Sequence, residues 1–288
     1  MTQVTGGPNA TRALTGQVVL GGAGFSIYDD RDDAGAIATI RAAADHGIRL
    51  FDSARAYATV DDPTHSERLF AEALHGCDDA LIMTKGGHFR TGYREWAVDD
   101  SPGRLRADVD VSLATLGVER IGMYFLHRAD AGDSVAGSIA TLEELRREGK
   151  IAAIGISNAS ASQLGEAMSI APIAAVQNKH TIGQDSWQLP SLCADLGIAF
   201  LAYSPLGGPG ESSRLLARFP ALAALAAARG QSPQRLLLRA LLAGAPSMSV
   251  VVGARRPATA IDSAKVPSDP WGDVERAAYD QDISSSTD

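Results

Sequence analysis

Cysteine is nearly absent from this chain: Cys77 and Cys193 are the only two in 288 residues. Two cysteines cannot build a disulfide framework, and no C-x-x-C or His/Cys pair with zinc spacing accompanies them, so no metal site is expected and a reducing cytoplasm is the simplest reading. His65, His75 and Cys77 share one expected helical stretch, but their spacing does not put them on one helix face. Long apolar runs are missing as well. The most apolar stretches, such as Ala221 to Ala228, fall far short of the ~20 residues that span a bilayer. Met1 to Thr15 is polar and lacks the apolar run of a signal peptide, so neither export nor membrane association is expected. Basic excess is also absent: 26 Lys+Arg stand against 34 Asp+Glu, a net charge of -8, which argues against a nucleic-acid partner.

What is present is enough apolar residue, 45%, to build a substantial core. At roughly 150 residues per domain the length suggests two domains, yet a single α/β barrel commonly takes about 250. The pattern along the chain chooses between them. Eight short β-rich runs alternate with longer helical patterns: Gln17 to Gly22, Arg49 to Asp52, Ala80 to Thr84, Ile121 to His127, Ile151 to Ser157, Ala174 to Asn178, Ala199 to Tyr203 and Ser247 to Gly253. That rhythm predicts parallel βαβ units. Asp33, Ser101-Pro102 and Ser232-Pro233 open helical patterns with a capping oxygen or an N1 proline, and Gly47, Gly117, Gly149, Gly197 and Gly230 close them. A doubly wound sheet fits less well, because Gly21-Gly22-Ala23-Gly24 leads into Phe25-Ser26-Ile27-Tyr28 with no G-x-G-x-x-G. The expected architecture is α/β, one (β/α)8 TIM barrel over residues 17–266, with an N-terminal tail 1–16 and a partly disordered C-terminal segment 267–288.

Barrel chemistry gathers at the carboxyl ends of the strands. Those ends are unusually polar here: Asp52, Lys85, His127, Ser157-Asn158, Gln177-Asn178, Tyr203-Ser204, then Arg255-Arg256 after the last strand. Taken singly, Asp52 reads as a turn cap, Lys85 as a loop lysine and His127 as a core histidine. Ionisable groups closing three successive strands are costly to bury at one mouth without a ligand or mutual partners.

Phe51-Asp52-Ser53-Ala54 with Tyr57, Thr84-Lys85-Gly86-Gly87 and Tyr124-Phe125-Leu126-His127-Arg128 resemble the aldo-keto reductases. The resemblance runs on through Gly155-Ile156-Ser157-Asn158, Val176-Gln177-Asn178, Ala202 to Gly207 and Val252-Gly253-Ala254-Arg255, covering about Val18 to Ala264. It implies a catalytic tetrad of Asp52, Tyr57, Lys85 and His127 and reduction of a small-molecule aldehyde or ketone to the alcohol. A phenol of pKa ~10 donates more readily near neutrality when a cation stabilises its phenolate. Lys85 would supply that charge, Asp52 would aim Lys85, and His127 would hold the carbonyl oxygen while Tyr57 gives the proton.

The resemblance further implies a nicotinamide dinucleotide, since no side chain donates hydride. NADPH is expected, with NADH as the alternative. Ser157, Asn158 and Gln177 would hold its carboxamide, Tyr203 would stack on the nicotinamide, and Ser204, Leu206 and Gly207 would meet the pyrophosphate. Beyond Gly253, Thr259 and Ser263 stand where the family often carries Arg or Gln and then Asn, a departure that leaves Arg255 and Arg256 as the expected 2′-phosphate ligands. Two other classes stay open: a non-catalytic nucleotide-binding regulatory module, and a Schiff-base aldolase using Lys85.

The segment 86–101 is long for a βα loop and carries His88, Phe89, Arg90, Tyr93, Arg94 and Trp96. Its root lies beside Lys85, so it is expected to fold over the mouth and to touch substrate through Trp96 and Arg90.

Overall fold

The computed structural model describes residues 13–285 apart from residues 185 and 209. Among the described residues ten strands follow one another: β1 Val18–Gly21, β2 Leu50–Asp52, β3 Leu81–Gly86, β4 His88–Gly92, β5 Glu95–Val98, β6 Met123–Leu126, β7 Ile154–Ser157, β8 Ile173–Lys179, β9 Ala199–Tyr203 and β10 Met248–Val252. Eight of them close a barrel in the order β1-β10-β9-β8-β7-β6-β3-β2, every pairing parallel. The helices that return the chain form the outer layer, so all eight strands point their carboxyl ends to one mouth.

Local sequence explains the helix boundaries. Ser101 accepts a hydrogen bond from Arg104 N ahead of helix Pro102–Leu116, and Ser232 accepts one from Arg235 N ahead of helix Pro233–Gly244. Each serine satisfies an amide that the first turn leaves unpaired. The helix expected to start after Asp33 is capped one residue earlier, by Asp32, whose side chain accepts from Gly35 N, while Asp33 sits in the first turn of Asp33–Asp45. Gly117 ends its helix at φ 65°, a left-handed position that a side chain resists.

The barrel interior is a packed layer that includes Val19, Met83, Met123, Phe125, Leu201 and Val251. Gly155 makes room in it: a Cβ there would stand 2.3 Å from Phe125 Cε1, well inside contact distance. Leu14 belongs to this layer and is fully buried. Its carbonyl accepts from Ser249 Oγ, so the end of the segment expected as a tail plugs the barrel floor. Residues 1–12 lie outside the described residues.

Two segments carry regular structure beyond the eight expected βα units. The segment 86–101 is a two-stranded antiparallel hairpin, β4 against β5. Its turn, Tyr93-Arg94 with Arg94 at φ 55°, lacks the Asn-Gly or Asp-Gly signature that would announce it. The segment after 266 also carries regular structure as far as Ser285: a 3-10 turn at Val266–Ser268 leads to helix Asp273–Ser285. Tyr279 stacks on Phe219 with centroids 6.0 Å apart, and Asp282 accepts from the amides of Ala221 and Leu222 at 2.9 and 3.0 Å. Those amides open helix Pro220–Ala228, which has no side-chain cap of its own, so the last helix supplies the cap that the local sequence lacks. Residues 286–288, where the serine-rich ending continues, lie outside the described residues. No described helix is long and apolar enough to cross a membrane.

Candidate active site

Lys85 stands near the carboxyl end of β3 and is fully buried, as is Asp52 at the end of β2 to within 2%. Its ammonium donates to Asp52 Oδ1 at 2.7 Å, to Asp52 Oδ2 at 2.8 Å and to the Ser53 carbonyl at 2.8 Å. Three donors thus meet three acceptors, which is what keeps a buried ion pair from being a net loss. Gln177 Nε2 adds a hydrogen bond to Asp52 Oδ1 at 2.8 Å, so β8 also braces the carboxylate. Tyr57 follows in the loop after β2. Its hydroxyl lies 3.4 Å from Lys85 Nζ, and the ammonium stands 4.8 Å from the ring centroid. His127, just past β6, meets the Tyr57 ring edge-on at 5.8 Å and the His88 ring at 4.8 Å.

Burial dominates the electrostatics. It pushes the Tyr57 phenol well above its ordinary value, with the charge of Asp52 and the nearby Tyr203 acting in the same direction. The expected acidification by Lys85 is therefore not what sets this phenol. Lys85 itself is lowered by burial, against the opposing pull of Asp52. His127 is held well below its ordinary value by burial and then by Lys85, His88 and Arg128, and is a neutral imidazole. His88 is lowered to about 4 by burial, then by Arg128. Nδ1 of His127 is buried without a hydrogen bond among the described residues, which leaves Nε2 as the nitrogen that serves the cavity.

That cavity is a groove of about 1300 Å³. It begins at Asp52, Tyr57 and His127, passes Ser157, Asn158, Gln177, Tyr203, Ser204 and Leu206, and runs by Gly253 to Arg255, Arg256, Thr259 and Ser263. The structure thus brings fourteen of the sequence-expected residues to one surface; Lys85 lies behind Asp52, and Gly207 shapes the loop at φ 87° without lining the groove. Asn158 and Ser204 sit at φ 57° and 51°, conformations that non-glycine residues tend to hold at functional sites. Asn158 Oδ1 accepts from the Tyr203 hydroxyl at 2.7 Å, and its Nδ2 donates to the His127 carbonyl at 3.0 Å, so these three residues are locked together.

Trp96 and Arg90 do not line the groove. Trp96 Nε1 donates to the Ala56 carbonyl at 3.0 Å and Arg90 Nη1 to the Ala58 carbonyl at 2.8 Å. Arg255 is in the groove but engaged: it donates to Asp30 Oδ2 at 3.0 Å and to the Asp30 carbonyl at 2.7 Å. Arg256 is exposed, and no side-chain partner holds its guanidinium among the described residues. Several lining residues were given no site role from the sequence, among them Tyr28, Asp30, His88, Arg128, Asp130, Gln234 and Arg235. His88 was the most findable of them, three positions past Lys85. Asp30 and Gln234 carry no local signal.

The burial of the ammonium also speaks against one chemistry. A Schiff-base lysine must be reachable by a ketone. Lys85 is fully buried, lies off the groove and spends its donors on Asp52 and Ser53. Among the described residues no cluster of His, Cys, Asp and Glu is arranged to hold a metal.

Comparison with known proteins agrees with this geometry. Residues 17–270 match the model of the aldo/keto reductase family. An uncharacterized oxidoreductase of Schizosaccharomyces pombe is 32% identical over 64% of this chain, a match that spans 59% of that relative's length. Pyridoxine 4-dehydrogenase of Escherichia coli is 31% identical, with 88% of this chain and 87% of the relative covered. Among solved structures, a glycerol dehydrogenase from Gluconobacter oxydans superposes with TM-score 0.78 at 26% identity, covering 93% of this chain and 91% of that one. A Klebsiella pneumoniae aldo/keto reductase in complex with NADP and acetate shares the fold at TM-score 0.77 and 22% identity, over 92% of this chain and 90% of that one. With its closed barrel, its buried Asp52–Lys85 pair and a family match over most of its length, the chain belongs to the aldo/keto reductase family.

Proposed function

We propose that this chain reduces an aldehyde or ketone to the alcohol by hydride transfer from NADPH, with Tyr57 as the general acid. One observation carries the reading: Lys85 Nζ stands 2.7 Å from Asp52 and 3.4 Å from the Tyr57 hydroxyl, with the His127 ring edge-on to Tyr57 at the inner end of the groove.

The residues divide the work. Tyr57, raised by burial, is fully protonated at neutral pH; its proton passes to the carbonyl oxygen as that oxygen gains charge, because an alkoxide is far more basic than a phenolate. Lys85 stabilises the phenolate left behind, and Asp52 holds Lys85 charged. Neutral His127 donates from Nε2 to the same oxygen and orients it. The cofactor, when bound, supplies the hydride that no side chain can give. The groove fits a dinucleotide. Helix Pro257–Ala264 opens without a side-chain cap, leaving amides aimed at an anion, and a Cβ on Gly253 would meet nothing within 4 Å. Ser157, Asn158 and Gln177 would hold the carboxamide, Tyr203 the ring face, and Ser204, Leu206 and Gly207 the pyrophosphate. Arg255, Arg256, Thr259 and Ser263 would hold the adenosine end with its 2′-phosphate. We place the enzyme in the cytoplasm, a reading supported by two free thiols, which a reducing compartment preserves.

Tyr57→Phe tests the assignment. It should lower kcat by at least ~10² while the Kd for NADPH holds, because only the proton donor is removed. Unchanged turnover would overturn the role of Tyr57. Tight NADPH binding by the wild-type chain with no turnover across a broad aldehyde panel would favour a nucleotide-binding regulatory module instead.

A further inference from the structure

We propose that the β4–β5 hairpin is a positioning clamp for Tyr57, with Trp96 and Arg90 as the two side chains that hold it. The inference rests on the reading of Tyr57 as the proton donor.

The segment that carries Tyr57 has no regular structure between β2 and helix His65–Ala73; Tyr57 N donates to Ala54 O at 3.0 Å and Tyr57 O accepts from Ser66 N at 3.2 Å, turn bonds that leave the carbonyls of Ala56 and Ala58 to be held from outside the segment. Nor does the phenol fix itself. Its hydroxyl meets Lys85 at 3.4 Å, the outer limit of a hydrogen bond, while Asp52 and Ser53 hold that ammonium at 2.7 to 2.8 Å. The ring must therefore be placed from its backbone. The carbonyls on either side of Tyr57 are the ones the hairpin grips: Trp96 Nε1 donates to Ala56 O at 3.0 Å and Arg90 Nη1 to Ala58 O at 2.8 Å. Arg90 and Trp96 are direct cross-strand partners. Their side chains brace each other, with the guanidinium 5.3 Å from the indole ring, and Arg90 Nε also donates to the Gly92 carbonyl at 2.8 Å within the hairpin. The hairpin in turn is fastened at both ends. Arg104 stacks on Phe89 at 3.7 Å near its root, and Tyr93 and Arg94 donate to Asp29 at 2.6 and 3.0 Å at its tip. Two hydrogen bonds flanking one residue control both its position along the chain and its rotation about it, and proton transfer is sensitive to both.

Trp96→Phe deletes the indole N–H while keeping an aromatic ring against Arg90. With NADPH and p-nitrobenzaldehyde as probes, it should lower kcat on the order of tenfold while KM for the aldehyde and Kd for NADPH stay within about twofold. In the Tyr57→Phe background the same change should cost nothing further, because the group it positions is gone. Arg90→Met, which keeps the apolar stem against Trp96 but has no donor for the Ala58 carbonyl, should reproduce the pattern and carries the test if Trp96→Phe does not fold. A raised KM with kcat intact would assign Trp96 to substrate contact and overturn the clamp, and so would a lowered Tm with unchanged kinetics. The two readings fail separately. Wild-type turnover by Tyr57→Phe defeats the proton-donor assignment, whereas its collapse beside a wild-type Trp96→Phe defeats the clamp alone.

Discussion

Asp52→Asn should be among the most damaging single changes this chain can take, and its damage should depend on pH in a defined direction. In the wild type, Asp52 Oδ1 accepts from both Lys85 and Gln177, and Oδ2 accepts from Lys85 again. Asparagine must turn its NH2 toward one of those donors. A donor then faces a donor inside a site where Lys85 is fully buried. Removing one partner of a buried pair in this way costs about 3–5 kcal/mol, a large share of a net stability of roughly 5–15 kcal/mol. In a chain of this size the loss corresponds to a fall in Tm on the order of 10 °C.

Burial already lowers Lys85, and Asp52 is the group that opposes the shift, so the variant moves the folded-state pKa further down. Between that lowered value and the ordinary lysine value of ~10.4, the unfolded chain binds a proton that the folded chain refuses. Stability in that window rises with pH. The Tm gap between wild type and Asp52→Asn should therefore narrow from pH 6 toward pH 9, as calorimetry or thermal melts at matched ionic strength would read. A gap that is constant or widens over that range, or a loss under about 1 kcal/mol, would refute the assignment of Asp52 as the partner that keeps Lys85 charged.

Two further outcomes follow from the site. Because His127 sits well below its ordinary value and Tyr57 well above its own, neither should impose a break in kcat for carbonyl reduction near neutrality, and the fall on the alkaline side should come first from Lys85, which burial lowers, losing its proton; a break near pH 7 that persists in Tyr57→Phe would mean that another group donates. Replacing Arg255 and Arg256 together by Ala should weaken NADPH by ~1–3 kcal/mol and NADH little. Arg256→Ala alone should account for most of the loss, since Arg255 is already engaged by Asp30. Cofactor fluorescence titration measures both, and equal weakening of NADPH and NADH would remove these arginines from the 2′-phosphate.

What the sequence determined by itself is whatever short-range chemistry encodes. Strand-length apolar runs, the Ser101-Pro102 and Ser232-Pro233 starts and the left-handed glycine stop at Gly117 each act within one turn of chain, and their alternation specifies eight βα units before any tertiary contact forms. Parallel closure then carries every strand end to one mouth, which is why Asp52, Lys85 and His127 could be read as neighbours from position alone. The tertiary structure decided the partners. Gln177 reaches Asp52 across 125 residues, Arg255 reaches Asp30 across 225, and Ser249 reaches Leu14 across 235. No local propensity favours one such distant pairing over another; only closure of the barrel brings the two groups within hydrogen-bond distance. The same reason separates the two readings of Trp96 and Arg90. The sequence placed them beside the catalytic cluster, but whether they face a substrate or the backbone of Tyr57 depends on the face the β4–β5 hairpin turns inward, and one residue of register reverses that face.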